Sequence, residues 1–438
     1  MNPYIAKYVF YYPVTYFNGE NISKYLKEYN DFQWVSAEEV CAIQRINLSR
    51  MLRYAKNNSA YYARRLNGVD SVDDFSAVPF LTKQLLISDF HDICVPNIKG
   101  VSLKTTGGST GEPVKLFKNS DALARERAAT WRSYSWAGIG IGDKQARFWG
   151  VPHAEREAKK AQLIDFISNR MRLSAFDLTS KTLEHYYRKL LRFKPKYLYG
   201  YVSVIRRFCE YIQERQLGPI PSLQAVITTS EILTQADKLF IENICNVRVF
   251  NEYGCGEVGS IAHQCEYGNM HIMADNLLVE IVDAHGNPAV TGEVVVTDFF
   301  NYATPLIRYK LGDFASISNE VCGCGRGLPI LQGIYGRAYD IVKTQAGKSI
   351  HPEALIYVFE ALQQKYQAFS QFQIIQKKIN QLEINIIPTS AWGEHLKGVI
   401  EKEIYASVDP SFHLLFNLKD EILRENSGKM RVVKSDLA

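Results

Sequence analysis

Three glycines and four hydroxyls crowd into Thr105-Thr106-Gly107-Gly108-Ser109-Thr110-Gly111-Glu112-Pro113, ahead of the strand-like Val114-Lys115-Leu116-Phe117. Glycines let backbone N–H groups turn toward an anion, and hydroxyls add donors for phosphate oxygens. The segment lacks the G-x-x-x-x-G-K-[ST] spacing and runs into a strand, which excludes a P-loop. A hairpin turn that binds nothing has the same composition. A second segment, Asn251-Glu252-Tyr253-Gly254-Cys255-Gly256-Glu257, follows the strand-like Val247–Phe250. Ligands collect at strand ends in α/β sheets, and carboxylates beside an aromatic ring suit a magnesium nucleotide. In Arg308-Tyr309-Lys310-Leu311-Gly312-Asp313, the carboxylate after a glycine can accept from two ribose hydroxyls, or simply close a turn. Gly336-Arg337-Ala338-Tyr339-Asp340 and Ser427-Gly428-Lys429-Met430-Arg431 complete the set. A glycine-flanked lysine can be delivered into a site and withdrawn, although most tail lysines are only solvated.

A separate chemistry is carried by Cys265, His271, Cys322 and Cys324. Three thiolates and an imidazole make a structural zinc set, and the tight Cys322-Gly323-Cys324 pair can place both sulfurs on one ion. Free buried cysteines are the alternative, and Cys255 and His263 are alternative ligands. Cys41, Cys94, Cys209 and Cys245 lie in apolar runs and are expected in the core.

These segments need a scaffold. Apolar spacing predicts a helix over Glu38–Leu66. From about Asn119, short β-rich runs alternate with amphipathic helices: Ala146–Gly150, Tyr197–Tyr199, Ala225–Thr228 and Val247–Phe250 are the strands, which is the pattern of an α/β sheet. After Gly268 hairpins take over, with Leu277–Val282 and Glu293–Thr297 around His285-Gly286-Asn287, and a β-rich subdomain is expected. A last α+β unit has helices near Pro352–Gln363 and Trp392–Ala406 and strands at Leu382–Ile386 and His413–Leu418. The chain of 438 residues, 46% hydrophobic, is long for one domain. The domains expected are 1–335 and 336–438. A net charge of +5 without a basic tail gives no indication of nucleic-acid binding. Eight cysteines without a secretory leader point to a reducing cytoplasm. No apolar run is long enough to span a membrane, and the aromatic start around Tyr8–Tyr12 is expected to pack in the core.

In this order and spacing the five segments, with Trp136–Asp143, Tyr199-Gly200-Tyr201 and Thr228-Thr229-Ser230-Glu231, resemble the adenylate-forming superfamily. The resemblance covers nearly the whole chain and is nearest the phenylacetate–CoA ligase branch and its relatives in capsular polysaccharide clusters. It implies a large α/β domain for ATP and acid and a small mobile C-terminal α+β domain. It further implies that Thr105, Thr106, Gly107, Gly108, Ser109, Thr110 and Gly111 grip the β- and γ-phosphates. Ser230, Glu231, Asn251 and Glu252 would belong to the nucleotide site, with Tyr253 against adenine. Glu257 would bind Mg²⁺, Asp313 the ribose hydroxyls, and Arg337 ribose or phosphate. Lys429 would bridge the substrate carboxylate and the α-phosphate, and Gly347 and Lys348 would line a coenzyme A channel. The reaction implied is acyl-adenylate formation with pyrophosphate release, then acyl transfer to coenzyme A. An amine or hydroxyl acceptor in surface polysaccharide synthesis is the rival, and a zinc-stapled nucleotide-binding protein without catalysis is a third reading. The chain departs from the family pattern at Tyr339, where an aspartate is usual, at Ser230, where a glycine is usual, and at Lys115, where the loop's basic residue sits later than usual.

Overall fold

The computed structural model describes residues 1–69, 71–106, 114–149, 155–175, 178–337, 342–346, 349–350, 352–423 and 431–437. In chain order its strands are β1 (Val101–Thr106), β2 (Val114–Asn119), β3 (Gln145–Trp149), β4 (Arg170–Ser174), β5 (Tyr197–Tyr201), β6 (Ala225–Thr229), β7 (Arg248–Cys255), β8 (Gly259–Gln264) and β9 (Met270–Ile272). There follow β10 (Leu277–Val282), β11 (Thr291–Asp298), β12 (Tyr309–Ser318), β13 (Ile330–Arg337), β14 (Val342–Lys343), β15 (Ser349–Ile350), β16 (Phe369–Lys378), β17 (Gln381–Pro388), β18 (His413–Leu418) and β19 (Val433–Ser435).

Among the described residues, eleven strands form one sheet in the order β10-β11-β12-β13-β9-β8-β7-β6-β5-β3-β4. The half from β4 to β7 is parallel, and every residue of β5 and β6 is buried, as expected where helices cover both faces. Helices Ser180–Phe193, Val202–Glu214 and Gln235–Cys245 pack on one face, and Ser120–Ser135 on the other. The hairpins expected after Gly268 are present, but they continue this sheet edge to edge, because β7 turns back into β8 and switches the pairing to antiparallel. Gly286 sits in its turn at φ +85°, a conformation that costs other residues a Cβ clash.

A four-stranded sheet, β18-β17-β16-β19, carries helices Pro352–Tyr366 and His395–Ser407 over a core of its own. Alternate buried residues Leu382, Ile384 and Ile386 give β17 its one apolar face.

Three expectations need correction. The helix over Glu38–Leu66 is two helices, Ala37–Asn58 and Ala60–Arg65: Ser59 adopts an extended backbone and caps the second by accepting from Tyr62 N–H. Cys41 is exposed and Cys94 only half-buried, whereas Cys209 and Cys245 are in the core. The aromatic start is helical, but Tyr4, Tyr8 and Phe17 face outward and only Tyr11 is buried among them. No described helix is long and apolar enough to cross a membrane.

Candidate functional site

Thr105 and Thr106 end β1, which pairs with β2 as a separate antiparallel ribbon. Gly107, Gly108, Ser109, Thr110 and Gly111 lie outside the described residues. What fixes the base of the ribbon is a buried ion pair that sequence reading missed: Lys118 of β2 donates to Glu126 on helix Ser120–Ser135. Burial opposes ionisation of Glu126, but Lys118 and Lys104 outweigh it and hold its carboxyl below the usual range. Glu126 packs against Gly259, where φ is +80° and a Cβ would fall 2.3 Å from the glutamate Cγ. The turn carrying the half-buried Glu257 is thereby seated beside the ribbon. A lysine at an alternating strand position reads as solvated, so no sequence signal marked this pair.

The second, third and fourth segments converge. Tyr253 on β7 donates its hydroxyl to Asp313 Oδ2 on β12 at 2.9 Å. Asp313 is 7% exposed and stands in register with Arg337 on β13. Glu231 accepts from Ser203 N–H at 2.7 Å and Ser203 Oγ at 2.8 Å, capping helix Val202–Glu214. Just before it, Ser230 has φ +68°. That left-handed backbone suits glycine and costs a serine about 1 kcal/mol, which accounts for the family pattern at this position and marks the turn as held by its surroundings.

Neighbours along β7 point to opposite faces. Asn251 meets Thr228 Oγ1 at 3.3 Å. Glu252 does not join Tyr253 and Asp313; it is buried on the other face, where Tyr134 donates to it at 3.0 Å. Burial raises its carboxyl pKa despite the hydrogen bond from Tyr134. Around it lies an aromatic wall of Trp131, Tyr134, Trp149, Tyr197, Tyr199 and Phe250.

Cys265, His271, Cys322 and Cys324 come together with all four ligand atoms within 4.8 Å of one another. Cys265 and Cys322 sulfurs are 3.6 Å apart, and Cys324 Sγ is 3.2 Å from His271 Nε2. A tetrahedral zinc with sulfur bonds of about 2.3 Å spaces its ligands by just under about 4 Å, so the set fits one ion. His271 Nδ1 faces the Leu328 carbonyl at 3.0 Å, which turns Nε2 toward the sulfurs. Burial pulls the His271 pKa down to about 4, leaving a neutral imidazole. It pushes Cys265 up to about 12, so ionising that thiol takes a cation at bonding distance. Burial acts the same way on Cys322, but Asn269 at 3.1 Å and the Cys324 N–H lower its pKa. Cys255 and His263 are not in the cluster; His263 Nδ1 is occupied by the Gln264 carbonyl at 2.8 Å.

Gly347, Lys348 and Lys429 lie outside the described residues. Downstream of Lys429, Val432 and Val433 are buried in the core of the smaller unit and anchor the chain there. That unit touches the larger one where Gln371 on β16 donates to Glu210 at 3.0 Å and Ile232 packs against its core.

The family model of the CapK C-terminal domain matches residues 342–436. The chain is 26% identical to CapK of Staphylococcus aureus over 306 residues, 68% of this chain and 66% of that protein. It is 22% identical to phenylacetate-coenzyme A ligase of Thermus thermophilus over 422 residues, 90% of this chain and 91% of the ligase. Its fold resembles 2-hydroxyisobutyryl-CoA ligase, solved in the postadenylation state with an acyl adenylate, at a TM-score of 0.74 and 20% identity, covering 92% of this chain and 91% of that one. Residues 342–436 thus match the CapK C-terminal domain, and the chain is similar along most of its length to a phenylacetate-coenzyme A ligase and shares the fold of 2-hydroxyisobutyryl-CoA ligase.

Proposed function

We propose that this protein is an AMP-forming acid ligase that joins a carboxylic acid to the α-phosphate of ATP and then passes the acyl group to coenzyme A. The observation that carries the reading is the Tyr253–Asp313 contact, which unites two segments sixty residues apart into one nucleoside corner beside Arg337. Asp313 accepts from the ribose hydroxyls, Tyr253 lies along adenine, and Thr105–Gly111 hold the β- and γ-phosphates. The acid's carboxylate oxygen attacks the α-phosphorus, and the bond to pyrophosphate breaks. Negative charge grows on the α-phosphate oxygens, where Arg337 and Lys429 stabilise it. Magnesium, held through Glu257, supplies charge neutralisation of the leaving pyrophosphate. The acceptor thiol then attacks the acyl carbonyl and AMP departs, with Gly347 and Lys348 at the entrance. Zinc, held by Cys265, His271, Cys322 and Cys324, would be structural, because all four positions are filled by protein. An amine or hydroxyl acceptor is the second reading, favoured by the likeness to CapK, whose C-terminal domain model covers 342–436.

The two half-reactions separate these roles. Wild type should exchange pyrophosphate into ATP only with an added acid and Mg²⁺. Lys429→Ala should lose that exchange by about 100-fold, while thiolysis of supplied acyl-adenylate continues. Lys434→Ala serves as the neighbouring control. Equal loss in both half-reactions would contradict a lysine delivered for adenylation alone.

A further inference from the structure

The face of β7 that carries Glu252 looks onto a second constellation, away from the nucleoside corner. Strand register places Arg147 on β3 beside Tyr199 on β5 and Arg172 on β4. One pair further along, Tyr201 stands beside Thr229, and Thr229 beside Glu252. The first row crosses the middle of β3, β4 and β5, and the second lies at the carboxyl ends of β5 and β6, where α/β sheets hold ligands.

Arg147 is half-buried, with its guanidinium against the rings of Trp149 at 4.1 Å and Tyr199 at 4.8 Å. Its Nε is cut off from solvent without a hydrogen-bond partner, and the guanidinium has no ion pair among the described residues. Ring faces attract the cation, but they satisfy none of its five N–H donors in their own plane. Nor do neighbouring charges balance it. Arg170 and Arg172 both pair with the carboxylate of Asp165, at 2.6 and 3.1 Å, so that acid is already engaged. Burial, and then repulsion from Arg147, lowers the Arg170 pKa. Glu252 is the acid on the opposite side, and burial raises its pKa toward the neutral form. Buried arginines are ordinarily paired, and a guanidinium fork matches a carboxylate bidentately.

We propose that Arg147 receives the second carboxylate of a dicarboxylic acid, whose first carboxylate is the one adenylated. This rests on the acid-ligase reading and narrows its substrate class. Trp149 and Tyr199 flank the carbon skeleton, Arg147 holds the far end, and Glu252 with the Tyr134 hydroxyl borders the site on the side of β7. Arg147 is thereby a specificity-determining residue.

The test compares dicarboxylic acids with monocarboxylic acids of the same skeleton, succinate with butyrate and phthalate isomers with benzoate, by acid-dependent pyrophosphate exchange. In wild type the dicarboxylate of a pair should be preferred in kcat/KM by about 100-fold or more, as expected when a site built for a polar group meets an analogue lacking it. Arg147→Met should collapse that ratio mainly through KM of the dicarboxylate, and Arg147→Lys should restore part of it. Both acids are read on one preparation, so partial unfolding cancels from the ratio. A wild type that prefers monocarboxylates, or a ratio unmoved in Arg147→Met, overturns the proposal and leaves adenylation standing. Absence of exchange with every acid, with ATP still bound, overturns the acid-ligase reading and this proposal with it.

Discussion

Tyr253 donates its hydroxyl to Asp313, and the proposed nucleoside site rests on that contact. A carboxylate that accepts two ribose hydroxyls contributes hydrogen bonds to a charged group, each of about 1.5–3 kcal/mol. Asp313→Ala should therefore raise KM for ATP at least about 10-fold, with less effect on KM for the acid; steady-state kinetics with each substrate varied in turn checks this. Equal shifts in both constants would mean that Asp313 serves the fold and not the nucleotide. The two residues were legible separately, each from its own motif, because glycine and carboxylate at a strand end carry local signals. Their contact was not, since nothing local specifies which strands become neighbours. Glu252 was assigned to the nucleotide with Tyr253, but strand alternation sends adjacent side chains to opposite faces. Lys118, Glu126 and Arg147 gave no signal, for their meaning comes from burial and from what lies across the sheet.

At the scale of elements, the clustered Cys265, His271, Cys322 and Cys324 come from the β8–β9 turn, β9 itself and the turn before β13, which a zinc ion would tie into one knot. β9 has three residues and pairs with both β8 and β13, too short to hold the middle of the sheet by its own ladder. Protein purified without chelator should carry one zinc per chain, matching the one four-residue cluster found among the described residues. Cys324→Ser should lose the metal and lower the thermal midpoint by roughly 5 °C or more. Metal analysis and a melting curve on the same sample check this; a full complement of zinc in the variant, or none in wild type, contradicts the assignment. The cluster was readable because cysteine and histidine spacing survives without knowledge of the fold. Element bounds were readable for β10 and β18, and lost where one side chain decides, as at Ser59, whose cap splits an apolar pattern that runs straight through it.

For the whole molecule, the sequence pattern distinguished parallel from hairpin segments, but not their fusion into one eleven-stranded sheet, because a hairpin edge looks the same whether or not it pairs onward. β7 is both the last parallel strand and the first antiparallel one, and it sends Glu252 and Tyr253 to opposite faces, the sides proposed for the acid and the nucleoside. The smaller unit has its own core and a polar contact from Gln371 to Glu210, and the proposed delivery and withdrawal of Lys429 requires that it move. The central claim is that the acid's own oxygen attacks the α-phosphorus. It is tested by supplying an acid that supports turnover with oxygen-18 in its carboxylate, together with ATP, Mg²⁺ and coenzyme A, and weighing the products by mass spectrometry. The label should appear in the phosphate of AMP, one atom per turnover, with unlabelled pyrophosphate. Label in inorganic phosphate alongside ADP, or AMP without label, would contradict the account.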